Sequence, residues 1–163
     1  MKKEESAPPM PQPTTEHRAL KDMAGKWKVA CKFYMDPSQP PMESTATESV
    51  EMVGEFWTVS KFENQMMGMP FTGRATMGYE PHSGKYVSTW IDSMAPVLCT
   101  LSGKKKGDTI EMQGEFHSCM TNSVLKHRTT EKILGKNERI FEMFAVMPDG
   151  KEIKMMTNHY KRA

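Results

Sequence analysis

From Gly25 to the end of the chain, apolar and polar residues alternate with a period of two in one run after another. In "KWKVACKFYM" the apolar set Trp27, Val29, Cys31 and Phe33 opposes Lys26, Lys28, Ala30 and Lys32. That is the pattern of an antiparallel strand with one side on a core and the other in water. Comparable runs follow in "ESTATESVEMV", "FWTVSKFEN", "RATMGYE", "KYVSTWIDSM", "PVLCTLS", "TIEMQGEFH", "VLKHRTTEKIL", "RIFEMFAVM" and "KEIKMMTNHYK". Turn residues separate them: Pro37, Pro40 and Pro41, then Gly54, "PHSG", "GKNE" and "PDG". The pair Asp149-Gly150 between two alternating runs is a strong hairpin signal. Lys104-Lys105-Lys106, beside Gly107 and Asp108, is expected to be a hairpin tip. The segment "MMGMPFTG", with two glycines and a proline, is expected to be a loop or a widened turn.

Only the segment before Gly25 departs from this period. In "TTEHRALKDMAG", Thr14 or Thr15 supplies a cap, Leu20 and Met23 lie three apart, and Gly25 is a stop, which predicts a helix of two to three turns. About ten short strands with no βαβ alternation predict an all-β fold, either an antiparallel sandwich or an up-and-down barrel.

The length of 163 residues fits one domain with a core of its own. Residues 1–13, with four prolines among charged and small residues, are expected to be a disordered or extended tail, and residues 14–163 a single β-barrel domain. The net charge of +2 and the lack of a long basic run give no reason to expect nucleic acid. No apolar segment approaches the length of a membrane helix, so no membrane partner is expected. The start "MKKEES" has no apolar stretch behind it, which makes the cytoplasm the default compartment; a removed leader would make the protein an exported one. The three cysteines, Cys31, Cys99 and Cys119, are odd in number and irregular in spacing, so reduced thiols are expected. The 17 methionines, with a cluster at Met66, Met67 and Met69, suit an adaptable apolar surface or loop better than a soft-metal site.

The helix followed by Gly25-Lys26-Trp27 on the first strand resembles the opening of calycin barrels, the lipocalin-like superfamily. The resemblance implies that Trp27 packs at the barrel floor against a basic residue of the last strand, here Arg162. A cation on a Trp face is worth about 0.5–2 kcal/mol. The segments "EHRALKDMAGKWKV", "DPSQPPMESTATESV" and "MGYEPHSGKYVSTWIDSM", with the closing "NHYKR", resemble a bacterial family of calycin-like β-barrel proteins without an assigned function. This resemblance implies a ten-stranded barrel and no reaction.

A barrel of ten strands is wider than the eight-stranded kind that side chains just fill. Its inner face is then lined rather than packed solid. On "YVSTWIDS", Tyr86, Ser88, Trp90 and Asp92 form one row, expected inside, and Val87, Thr89 and Ile91 the other, expected under the helix or on the outer wall. Arg74, Thr76 and Gly78 share one face of the preceding strand. If that face meets the Trp90 row, Arg74 and Asp92 form a buried pair; a register slip of one residue reverses the assignment.

The function predicted on this basis is binding of a small apolar or amphipathic molecule inside the barrel. Trp57, Tyr79, Tyr86, Trp90 and methionines would line the site, with Arg74 and Asp92 as polar anchors. The rival readings are an enzyme using Asp92 for acid–base work and a structural or homodimerisation module. A structural ion pair or a loop cap outweighs catalysis at Asp92, and no catalytic set is assigned. No cofactor is expected. Metal binding is not expected either: His117 and Cys119, at i and i+2, lack nearby partners. Some calycin-like barrels hold haem through a histidine near the chain end. If Arg162 faces Trp27, however, the parity of the last strand turns His159 outward.

Overall fold

The structure is a computed structural model and describes residues 7–119 and 121–163. The expected tail is partly outside this range: residues 1–6 are not described, and residues 7–14 have no regular structure. Helix α1 spans Thr15–Lys21. Among the described residues ten strands follow: β1 Gly25–Phe33, β2 Met42–Val53, β3 Trp57–Met66, β4 Met69–Glu80, β5 Lys85–Asp92, β6 Ala95–Lys106, β7 Thr109–Ser118, β8 Ser123–Ile133, β9 Glu138–Val146 and β10 Glu152–Arg162. Each pairs antiparallel with its neighbours in the chain, and β10 returns to β1, so the sheet closes into a barrel with no free edge strand. The sandwich alternative is thereby excluded.

The turns are mostly as expected, with two differences. The "MMGMPFTG" segment is not a loop: β3 and β4 run to Met66 and from Met69, and only Met67 and Gly68 make the turn. Both have positive φ, 51° and 76°, as a two-residue hairpin turn of the right twist requires. Pro70 is tolerated because it stands near the start of its strand. The lysine triplet is the end of β6, and the tip is Gly107 and Asp108.

Helix α1 covers one end of the barrel. The Thr14 N–H donates to His17 Nδ1 at 3.0 Å, which makes Nδ1 the acceptor and leaves Nε2–H to donate to the Tyr79 carbonyl at 2.8 Å. His17 thus ties the helix start to β4. Leu20, fully buried, and Met23 pack with Tyr86, Ile110 and Met112 as one apolar cluster. Trp27, Val29, Cys31, Ala46, Val50, Phe62 and Tyr160 form the other.

The closure between first and last strand is as the resemblance implied. Trp27 pairs with Arg162, whose guanidinium lies 4.3 Å from the indole centroid. The same guanidinium donates to the carbonyls of Ala24, Asp22 and Lys136. Gly25 lets it in: a Cβ there would stand 2.6 Å from Arg162 Nη1, and its φ of 125° suits glycine.

Candidate functional site

Directly paired residues on neighbouring strands share a face. Tyr86 pairs with Tyr79, Ser88 with Met77, Trp90 with Ala75 and Asp92 with Gly73. Since Tyr86 packs with Leu20 of the plug helix, this row faces the interior and Val87, Thr89 and Ile91 form the outer wall. The expected parity of β5 holds.

The residues expected to line the interior divide into two groups. Tyr79, Tyr86, Trp90 and Asp92 point inward. Tyr79 and Tyr86 sit near the helix with ring centroids 5.1 Å apart, so they belong to the packed floor. Trp90 stacks on Phe71 at 6.4 Å and meets Phe62 edge-on at 6.1 Å. Its Nε1 donates to Asp92 Oδ2 at 2.9 Å, and Asp92 Oδ1 accepts the backbone N–H groups of Met94 and Ala95. Asp92 therefore caps the β5–β6 turn and fixes the indole of Trp90.

Arg74 and Trp57 are corrections. Arg74 pairs with Ile91 and Lys61 on the outer face, is exposed, and makes no ion pair with Asp92. The β4–β5 register sets Asp92 against Gly73, one residue from the expected pairing. Trp57 pairs with Gly78 on the outer wall and is 37% exposed.

The register places a second aromatic contact inside the barrel. A Cβ on Gly73 would lie 2.1 Å from Trp90 Cη2, so the indole rests on bare backbone. Gly73 is the only residue type that leaves room for that ring.

Below this aromatic group lies a charged cluster that the hydrophobic pattern did not reveal. Arg139 on β9 bonds Glu131 of β8 at 2.5 Å and also Glu48 of β2; all three are buried. The guanidinium is 3.7 Å from the Tyr160 ring and 4.7 Å from that of Trp27. Burial raises the pKa of Glu48, against the pull of Arg139. Burial opposes the charge of Arg139, yet Glu131 and Glu48 hold its pKa above the usual range.

The end opposite α1 differs. Phe33, Phe71, Trp90, Phe141, Met143 and Met156 have inward register but remain only partly buried. Around this mouth Met35, Met42, Met67, Met69, Met94 and Leu98 are exposed. The methionine cluster is thus rim, as its flexible apolar character suits. His127 of β8 also faces in. It is buried, stacked on Phe116 at 4.0 Å, with Nδ1 3.2 Å from the Leu125 carbonyl, and burial lowers its pKa. Cys99, across from Trp90, is pushed up to about 11 by burial and by Asp92, so it stands as a thiol. No cluster of three His, Cys, Asp or Glu suited to a metal occurs among the described residues. His117 instead contacts Asn122, and His159 points outward to Glu138 at 2.5 Å.

The sequence matches, over residues 12–162, the family described as "Protein of unknown function (DUF1579)". The chain belongs to that family. No curated protein matches this DUF1579 chain. Among solved structures it is similar to Rv2717c from M. tuberculosis, with 14% identity, a TM-score of 0.69, and coverage of 93% of this chain and 99% of that one. It is also similar to the S-type phycobiliprotein lyase CPES from Guillardia theta, with 10% identity, a TM-score of 0.58, and coverage of 93% and 98%. At such identities the likeness concerns the fold, a calycin-like barrel, and assigns no activity.

Proposed function

We propose that this DUF1579 barrel binds a small apolar or amphipathic molecule in the half of its interior away from α1. The observation that carries the reading is the partial exposure of inward-facing Phe33, Phe71, Trp90, Phe141, Met143 and Met156. Large apolar side chains that face a closed sheet yet still meet solvent are lining an accessible space, because a packed core would bury them. The plugged end supplies the floor. The neutral groups Asn64, His127, Thr129 and Asn158 on the inner face supply a few polar contacts within an apolar surround, as small-molecule sites require. Asn158 Oδ1 and Thr129 Oγ1 are buried without a hydrogen-bond partner among the described residues, so each has hydrogen-bonding capacity to offer.

The ligand anchors differ from those the sequence suggested. Trp90 remains, Arg74 and Trp57 lie on the wrong side of the wall, and Asp92 acts through Trp90. An acid–base role for Asp92 gains no support, since both its oxygens already accept hydrogen bonds. The test is native mass spectrometry of the protein as purified. The expected result is a retained molecule that is lost when Cys99→Trp fills the space beside Trp90. A protein that binds nothing when pure, and takes up no apolar compound from a screened set, contradicts the reading.

A further inference from the structure

We propose that the outer wall across β3 to β7 carries a second binding site, for a neutral polyhydroxylated ligand of the glycan class stacked on Trp57. A concavity of about 710 Å³ lies there. That is within the range of small-molecule sites, roughly 300–1,000 Å³.

The register explains why a barrel is hollow on its outside here. One row across the wall runs Trp57, Gly78, Val87, Ser102, Gln113. The row beside it runs Thr76, Thr89, Thr100. Small residues thus make the floor, with Trp57 as one wall and Gln113 and Glu115 as the other. The two walls are four strand spacings apart, about 19 Å along the sheet. The backbones of β6 and β7 approach closely at this point: a Cβ on Gly103 would lie 1.8 Å from the Glu111 carbonyl oxygen, and one on Gly114 2.1 Å from that of Thr100. The β6–β7 ladder stops at Ser102 and Gln113.

Trp57 is seated as a platform. A Cβ on Gly78 would be 2.3 Å from its Cε3, so the indole rests against glycine backbone while more than a third of the residue stays exposed. A large aromatic held rigid but left half in water loses little entropy when a flat apolar face covers it.

The rest of the lining selects the ligand class. Thr76, Thr89, Thr100, Ser102 and Gln113 offer hydroxyl and amide groups that both donate and accept, and Thr76 and Thr89 already share one such bond at 2.6 Å. Among the described residues the only charge in the lining is Glu115, and no Lys, Arg or His takes part. A phosphate or carboxylate ligand would find no counter-charge and one repelling group. A sugar presents the complement: a C–H face for Trp57 and hydroxyls that donate and accept. Most of the lining faces away from the interior, since Val87 and Thr89 alternate with inward-facing Tyr86 and Trp90, although Ser88, Leu101 and Gly114 of the inner row also border the concavity.

The test is ¹H–¹⁵N NMR of the full chain titrated with cellotriose, chitotriose, maltotriose and xylotriose. The expected result is a saturable shift of the Trp57 indole N–H and the Thr76, Thr89 and Gln113 amides by at least one of them, with the Trp90 indole unmoved. Trp57→Ala should weaken that binding about tenfold or more, and Gln113→Ala by a smaller factor. Both positions are on the surface, so both variants should fold. The proposal is overturned if no trisaccharide shifts these signals saturably, if shifts persist in Trp57→Ala, or if trigalacturonate binds as tightly as the neutral sugars.

Discussion

The indole of Trp90 lies on Gly73, with Cη2 where a β-carbon would otherwise stand, only 2.1 Å from the ideal Cβ position. Gly73 has no positive φ, so its role is room and not backbone freedom. Gly73→Ala should therefore displace the ring, break the Trp90–Asp92 bond, and cost about 1–3 kcal/mol. Urea denaturation should show the loss, and the near-ultraviolet circular dichroism of Trp90 should change. Alanine at wild-type stability would show that the ring does not sit there.

Arg139 holds two buried carboxylates, Glu48 and Glu131. Arg139→Met should cost about 3–5 kcal/mol, since it leaves two buried acids unpaired. Glu48→Gln leaves a one-to-one pair and removes a group that burial already biases toward its neutral form, so its cost should be under about 1 kcal/mol. Equal losses in the two variants would contradict the unequal roles given to these residues.

Arg162 joins β10, the α1–β1 connection, the β8–β9 turn and the Trp27 face through three carbonyls and one ring. Arg162→Ala should lower stability by about 2–3 kcal/mol. Lys should restore little of it, because one ammonium cannot reproduce the planar fork. Thermal melts of the two variants decide this, and full rescue by Lys would reduce Arg162 to a point charge.

His127 is held neutral, with its pKa lowered from 6.5 by burial. The unfolded chain then binds a proton at a pH where the folded chain does not. The stability associated with His127 is thus complete above pH about 6.5 and is lost as pH falls through the lower, folded value. Urea midpoints at pH 7.5 and 5.5 should show a drop that shrinks in His127→Leu. An undiminished drop in that variant would place the acid sensitivity elsewhere.

Strand positions, the helix and the two rows of β5 were legible because each rests on a local period or a single spacing, whereas the Trp27–Arg162 closure was implied only by the family resemblance. The errors came where the inner face is polar. On β3 the inward residues include Thr58, Ser60 and Asn64, so the alternation set Trp57 on what looked like the core side. Arg74 and Tyr79 are five apart and cannot share a face of a regular strand; the Tyr79–Tyr86 pairing decides for Tyr79. In the Arg139 cluster Glu131 meets Arg139 across the β8–β9 hairpin, but Glu48 of β2 joins them only when the barrel closes, and no short-range pattern encodes that contact. His17 likewise finds Tyr79 only when the helix docks.

The most direct test is a titration of protein labelled at the methionine methyl carbons with 1-aminoanthracene, a neutral apolar probe. If the space beside Trp90 admits small molecules, the Met143 and Met156 methyl signals shift saturably at one equivalent while those of Met10 and Met52 stay in place. A probe that moves only exposed methionines, or none saturably, would contradict the existence of an interior site.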